Sequence, residues 1–354
     1  MNKRKLRGAV IGYGFISAAG HVPGYLKRCA NWDDVEIVAI ADICPVRRNL
    51  AQEALPRAAI YNDYRELLKA NAANLDFVDI STPPCDHAAI AHAALASRFH
   101  VLCEKPLSCS IEEAHSLLRH AKAAEKVLFP CHNYKYAPAI KTITEIIKGG
   151  RIGKVRSVSI KVYRSTHAKG VAEWNSHWRR QSRYSGGGIA MDHGSHSFYL
   201  TFDWLGSYPI SIAAAMNNLK PGKYDTEDEF TATLVFPTGS AYVHLTWTAG
   251  MRKAIYVVEG EKGSITMEDD DLLIETRNGS RLVEKKSIAS DWADASHAAW
   301  FNPLFNEFRT AMDRGDYAGK QAQEALLCVQ LINTAYRSAE QGSRELPLAY
   351  VLRD

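Results

Sequence analysis

Residues 6–17 read Leu-Arg-Gly-Ala-Val-Ile-Gly-Tyr-Gly-Phe-Ile-Ser, an apolar β-branched run that stops at Gly12-Tyr13-Gly14-Phe15-Ile16-Ser17. A strand followed by a glycine turn and then by helical periodicity opens a βαβ unit. Gly12 permits the tight turn, and Gly14 lets the backbone approach a pyrophosphate. The helix N-terminus beyond them offers unpaired N–H groups and the favourable end of its dipole to an anion. Ser17 stands where a third glycine or an alanine is usual, a position a small side chain tolerates. Taken alone the motif also fits a turn that merely needs glycine, and its surroundings weigh for the dinucleotide. The second strand ends at Ala41-Asp42, with an acidic side chain placed to accept hydrogen bonds from the adenosine ribose hydroxyls. Asp42 would repel a 2′-phosphate, so NAD is favoured over NADP; Arg47 and Arg48 nearby weigh the other way.

Working outward, residues 6–11, 35–41, 77–81 and 99–102 are short apolar runs, with helical stretches such as 87–97 and 111–125 among them. Such alternation predicts a doubly wound parallel sheet, a Rossmann-type α/β domain over residues 1–130. Residues 155–164, 230–236, 241–247 and 255–259 instead alternate apolar and polar, with turns such as Pro237-Thr238-Gly239 between them. That pattern predicts an open, mostly antiparallel sheet with one buried face, in an α+β domain over 131–354 that closes with helices near 300–312 and 321–341.

The 354 residues are 46% hydrophobic and 23% charged with a net charge of +4, which excludes a disordered, collagenous or coiled-coil chain. Lys3, Arg4, Lys5 and Arg7 read as a solvated tail, so no nucleic-acid partner is expected. No apolar run is long enough for a membrane span. Seven cysteines without a Cys-x-x-Cys pair argue against a disulfide framework or a cysteine zinc site, and a reducing cytoplasm is the expected compartment.

Two loops leave the carboxyl ends of predicted strands, where open α/β sheets bind ligands. Ser81-Thr82-Pro83 offers hydroxyls to a cofactor. Glu104-Lys105-Pro106 brings Lys105, able to stabilise developing negative charge on oxygen. An ordinary turn and a surface ion pair are the plain alternatives. Further along, Gly186-Gly187-Gly188 marks a sharp turn or close backbone approach, and Asp192 and His196 follow at i and i+4 of a predicted helix, on one face. A carboxylate beside an imidazole makes His196 a candidate acid/base, though a capped structural histidine fits the segment too. Asp192, His193 and His196 lack the geometry of a metal set, so none is expected.

Together these elements resemble the Gfo/Idh/MocA oxidoreductases. The likeness runs through the glycine turn, His21-Val22-Pro23, Asp42, Ser81-Thr82-Pro83 with His87, and His100 to Pro106. It continues through Asn133-Tyr134-Lys135 with Pro138, Trp178-Arg179, and Gly186–Gly188 leading to Asp192-x-Gly194-x-His196. Lysine replaces the usual arginine at position 135, and His193 stands at a commonly apolar position. The resemblance implies Lys105, Asp192 and His196 as catalytic residues and a cis Lys105–Pro106 bond. It implies cofactor contacts from Gly12, Tyr13, Gly14, Phe15, Ile16, Asp42, Arg47, Ser81, Thr82, Pro83, His87, Glu104 and Lys105. Asn133, Lys135, Trp178, Arg179 and His193 are substrate-side candidates. The implied activity is hydride transfer between NAD and a secondary alcohol of a sugar, cyclitol or sugar derivative, in a homo-dimer or homo-tetramer built through the open sheet face. A dinucleotide-binding regulator without turnover and a redox-neutral, NAD-dependent glycosidase are the alternatives.

Overall fold

The computed structural model describes residues 4–349 apart from 220, 221, 279, 291 and 293. Two compact units divide the chain. One comprises Met1–Asn133, Lys169–Trp178 and Asp294–Leu326, the other Tyr134–Ala168, Arg179–Ala293 and Leu327–Asp354. The expected boundary at 130 lies near the first division, and two later segments return to the first unit.

In the first unit, strands β1 (Leu6–Ile11), β2 (Val35–Ala41), β3 (Ala59–Tyr61), β4 (Phe77–Ile80), β5 (His100–Cys103) and β6 (Leu128–Pro130) form one six-stranded sheet ordered β3-β2-β1-β4-β5-β6. Every pairing is parallel. Helices α1 (Val22–Trp32), α2 (Pro45–Ala54), α3 (Tyr64–Ala70), α4 (Pro84–Ala96) and α5 (Ile111–Ala124) make the connections. All four residues of β4 are buried, as a sheet covered on both faces requires. The helix Ala298–Arg314 completes that cover. Its Phe301 meets Tyr25 edge-on at 4.8 Å, and Phe305 and Phe308 lie 5.5 and 5.6 Å from Phe77. Gly8 makes room for this cluster, because a Cβ there would sit 2.2 Å from the Phe77 ring.

The second unit holds α6 (Pro138–Lys148), β7 (Val155–Tyr163), the short α7 (Ser182–Ser185) and α8 (Ile189–Leu205). Strands β8 (Ser211–Asn217), β9 (Glu229–Phe236), β10 (Gly239–Thr246), β11 (Lys253–Gly260), β12 (Gly263–Glu268), β13 (Asp271–Asn278), β14 (Ser280–Ser287) and β15 (Leu346–Pro347) follow. Together with β7 they make a nine-stranded sheet ordered β14-β13-β12-β11-β7-β10-β9-β8-β15. β7 and β10 run parallel, and the other pairs are antiparallel. Alternate residues of β9 are buried, and α8 packs on β7, β9 and β10. Among the described residues no helix is long and apolar enough to cross a membrane.

Candidate active site

The glycine turn of the first unit is built by close approach on one side and open space on the other. Gly12 has φ +91°, and a Cβ there would lie 2.9 Å from the Ser81–Thr82 backbone, so only glycine lets β1 and β4 deliver their loops side by side. At Gly14 a Cβ would meet nothing within 4 Å, which leaves the backbone open to a ligand. The chain then enters a π-helical turn, Ser17–His21, before α1, a local over-wide turn often found at functional sites. The buried hydroxyls of Ser17 and Thr82 have no hydrogen-bond partner among the described residues. An open backbone and two unsatisfied hydroxyls fit a polar ligand such as a dinucleotide.

Neighbouring side chains hold this turn in place. Asp42 accepts hydrogen bonds from the Tyr13 N–H at 2.6 Å and the Cys44 N–H at 2.7 Å. Arg47 donates from Nε to the Tyr13 carbonyl at 2.7 Å, and its guanidinium lies 5.3 Å from the Tyr13 ring centre. Its Nη1 is also 3.7 Å from Glu173. Arg47 is thus spent on bracing the glycine turn. Phe15 is exposed at its rim.

Beneath the loops lies a buried ionic group that sequence reading missed. His21 Nδ1 is 2.9 Å from Asp79 Oδ2, and its Nε2 is 3.3 Å from Glu104 Oε1. Tyr25 also donates to Asp79 at 2.9 Å. Burial disfavours a charged imidazole, but the charge and hydrogen bond of Asp79, then those of Glu104, outweigh it and raise the His21 pKa to about 10. Burial pushes Glu104 up, while His21 and Lys105 pull it down more strongly, so it stays ionised. Ser81 turns its hydroxyl into the same group, 3.3 Å from Asp79 Oδ1.

Glu104 therefore faces inward. Its Oε2 accepts the Lys105 N–H at 3.1 Å, anchoring the turn in which the Lys105–Pro106 bond is cis. His87 is buried as well. Its Nε2 is 2.8 Å from the Thr82 carbonyl and its Nδ1 is 2.8 Å from the Pro106 carbonyl, so it staples the loops after β4 and β5 to each other. Burial lowers its pKa against the partial opposition of those two carbonyls.

In the second unit the glycine run has a different cause. Gly186 adopts φ +73°. A Cβ on Gly187 would fall 2.0 Å from Tyr336 Oη, and one on Gly188 would fall 1.9 Å from the Glu227 carbonyl oxygen. The glycines admit two protein groups. The Glu227 carboxylate accepts from the Gly188 and Ala190 N–H groups, each at 3.0 Å to Oε1, and so caps α8. Burial raises the Glu227 pKa against those donors.

The cap sets the rotation of α8, which opens at Ile189 and carries Asp192 in its first turn. Asp192 Oδ1 accepts from Arg179 Nε at 3.2 Å, and Oδ2 is 3.6 Å from His193 Nε2. One turn on, His196 is buried, its ring stacked on Tyr134 with centroids 3.9 Å apart. Its Nδ1 lies 2.7 Å from Tyr199 Oη, which also accepts the Tyr134 N–H at 3.2 Å. Burial keeps both phenols neutral by raising their pKa values, Arg164 opposing at Tyr134. Tyr199 follows His196 at i+3, a spacing that points to it in retrospect.

The remaining candidates scatter. Lys135 Nζ pairs with Asp203 at 3.1 Å, and Trp178 packs against Gly170, whose Cβ would lie 2.6 Å from the indole. The Asn133 side-chain oxygen is buried without a hydrogen-bond partner among the described residues. One group of metal-ligating type occurs among those residues, His21, Glu104 and Cys131, all buried. His21 already spends both ring nitrogens on carboxylates there.

Residues 6–132 match the NAD-binding Rossmann-fold domain of the GFO/IDH/MocA oxidoreductases, and residues 140–266 match their C-terminal domain. The chain belongs to the GFO/IDH/MocA oxidoreductase family. It is an NAD-binding oxidoreductase with an N-terminal Rossmann domain. D-apiose dehydrogenase of Paraburkholderia graminis is 24% identical over 96% of this chain and 89% of that protein. D-glucoside 3-dehydrogenase of Escherichia coli is 23% identical over 97% and 98%. The fold is shared with levoglucosan dehydrogenase solved with NADH, at a TM-score of 0.86 and 20% identity over 98% of this chain and all of that one.

Proposed function

We propose that this GFO/IDH/MocA protein transfers hydride reversibly between NAD and a secondary alcohol carbon of a sugar, cyclitol or sugar derivative, with His196 as acid/base. The observation that carries this reading is the setting of His196, clamped by the Tyr134 ring and Tyr199 Oη on a helix whose start is capped by Glu227. To take the hydroxyl proton at Nε2, the imidazole needs its own hydrogen at Nδ1. Tyr199 Oη, 2.7 Å from Nδ1, can accept that hydrogen, so the contact is compatible with the tautomer the reaction needs. Asp192, one turn earlier on α8, supports the charge His196 gains. Lys105, presented at the end of β5, is assigned to the substrate oxygen, where an ammonium offsets developing negative charge. Gly12–Ile16, Asp42 and the Ser81–Pro83 loop would hold the dinucleotide, braced by Arg47, His87 and Glu104. Bound NAD supplies the redox chemistry.

The cations of the substrate-side group bear on substrate charge. Arg179 is paired with Asp192 and Lys135 with Asp203, so each is matched by a carboxylate. This supports a neutral polyhydroxylated substrate over a uronate or sugar phosphate, and D-apiose, a D-glucoside and levoglucosan, named for the relatives, are of that class. A homo-dimer or homo-tetramer is proposed through the face of the nine-stranded sheet opposite α8, where Tyr242 is exposed.

The test is production of reduced nicotinamide from NAD⁺ with a panel of cyclitols, aldoses, glycosides, uronates and sugar phosphates. One neutral class is expected to react. His196→Asn should lower kcat about 10²–10⁴-fold while leaving NADH affinity unchanged, the size general acid–base assistance carries. Lys105→Met should also lower turnover. Equal loss of turnover and NADH affinity in His196→Asn would make His196 structural and overturn the assignment.

A further inference from the structure

Two thiols meet beside the cofactor loops. Cys85 lies in the first turn of α4, directly after Ser81–Pro84, and Cys109 precedes Ser110, the residue that caps α5. Their sulfurs are 3.1 Å apart, and both residues are half-buried. A disulfide bond is about 2.05 Å long, so the pair needs to close by only about 1 Å. Cys103, Cys131 and Cys328 are by contrast buried.

We propose that Cys85 and Cys109 form a redox-active dithiol, oxidised by a low-molecular-weight disulfide to an intramolecular disulfide that locks the loop after β4 to the loop after β5 and weakens NAD binding.

The surroundings assign the two roles. Cys85 stands at the N-terminal end of a 13-residue helix, where exposed N–H groups and the dipole favour a thiolate. The Cys109 thiol is pushed far up, first by its hydrogen bond to Cys85 and then by burial. The helix N-terminus makes Cys85 the attacking thiolate, and in the dithiol either sulfur can donate to the other. Asp86 and Glu113 are the nearby carboxylates that oppose ionisation. The Cys85 thiolate attacks one sulfur of the external disulfide, forming a mixed disulfide and expelling one thiolate. Cys109 sulfur then attacks Cys85 Sγ, the Cys85 bond to the external sulfur breaks, and a second thiolate leaves. The two protein protons end on the two released thiols. The protein is oxidised by two electrons, and the external disulfide is reduced by the same two.

The coupling to the cofactor comes from position. His87 already ties Thr82 to Pro106 across these two loops, and α4 packs directly on α5. A covalent bridge between Cys85 and Cys109 moves the same two loops, which belong to the NAD-binding domain. Interiors packed this closely transmit such a shift instead of absorbing it. The inference does not depend on His196 or on the substrate, since its readouts are peptide mass and NADH affinity.

The full-length reduced protein is treated with oxidised glutathione, quenched with N-ethylmaleimide, digested and mapped by mass spectrometry. The expected product is a cross-linked pair of peptides carrying Cys85 and Cys109, lighter by two hydrogens and restored by dithiothreitol. In Cys109→Ser, glutathione should remain on Cys85; in Cys85→Ser, Cys109 should stay open to maleimide. Wild-type protein in which both residues stay alkylated, or in which each keeps glutathione, would overturn the dithiol. NADH titration of oxidised and reduced protein reads the second half. The oxidised form should bind about fivefold or more weakly, the low end of ordinary coupling between two sites, and recover on reduction. Equal affinity in both forms, with the cross-link present, would overturn the lock.

Discussion

His21 and His196 are both buried histidines, one in each unit, and their neighbours make them different groups. His21 sits between Asp79 and Glu104, two carboxylates that hold it charged up to about pH 10. A permanently protonated imidazole has no lone pair for a substrate proton, so its work is to let two strand-end carboxylates share the interior. His196 sits between the phenols of Tyr134 and Tyr199, which orient its ring. Burial alone thus says little about a histidine; the charge of what faces it decides whether it is locked as a cation in the fold or suits the acid/base role proposed for His196.

The largest expected effect breaks the first of these. His21→Asn should cost about 3–5 kcal/mol of stability by leaving buried carboxylates without their cation, measured by chemical denaturation. His196→Asn should leave stability nearly unchanged and remove turnover. If the two variants behave alike, the contrast fails.

The two glycine turns sharpen the same lesson at smaller cost. Gly188→Ala forces a Cβ to within 1.9 Å of a backbone oxygen and should destabilise by about 1–3 kcal/mol or more. Gly14→Ala meets open space, so its melting curve should match wild type while NADH binds about tenfold or more weakly, roughly 1.4 kcal/mol. A fall in melting temperature of equal size in both would mean that Gly14 serves folding too.

Tyr199→Phe tests how the second histidine is oriented. It removes the oxygen facing Nδ1 but keeps the ring, so kcat should fall about tenfold, near 1.4 kcal/mol, with NADH affinity unchanged. The His21 contribution can also be read without a substitution, in the pH dependence of stability. The His21 pKa is raised from 6.5 to about 10, so its contribution to stability is whole below pH 6.5 and is lost as pH rises through about 10. Unfolding free energy should decline across that window in wild type and flatten there in His21→Asn.

Much of the fold was legible because its signals are local. The run into Gly12-Tyr13-Gly14 marks β1 and the turn after it, and the period-two texture of 230–236 and 241–247 appears as β9 and β10. Weaker texture hid β8 and β12–β14, and no spacing rule announces the π-turn at Ser17–His21. The site was legible in part. Asp192 and His196 belong to one helix, so their relation follows from helical geometry, as does the inward march to Tyr199.

Other relations had no local trace. His21 and Asp79 are 58 residues apart and meet because α1 starts beside β4. Glu227 and Tyr336 explain Gly187 and Gly188 only once distant strands and helices are in place. Lys135 and Arg179 stand in the sequence as substrate-side candidates, and only the fold pairs them with Asp203 and Asp192. The sequence by itself determined the succession of a βαβ half and a β-rich half, the glycine turn, the family and the residues on one helix face. These depend on steric preference and periodicity within a few residues. Tertiary structure alone decided which buried charges are neutralised and which histidine is held between neutral rings. Coulomb interaction and desolvation depend on distance through space, and chain separation does not encode that distance.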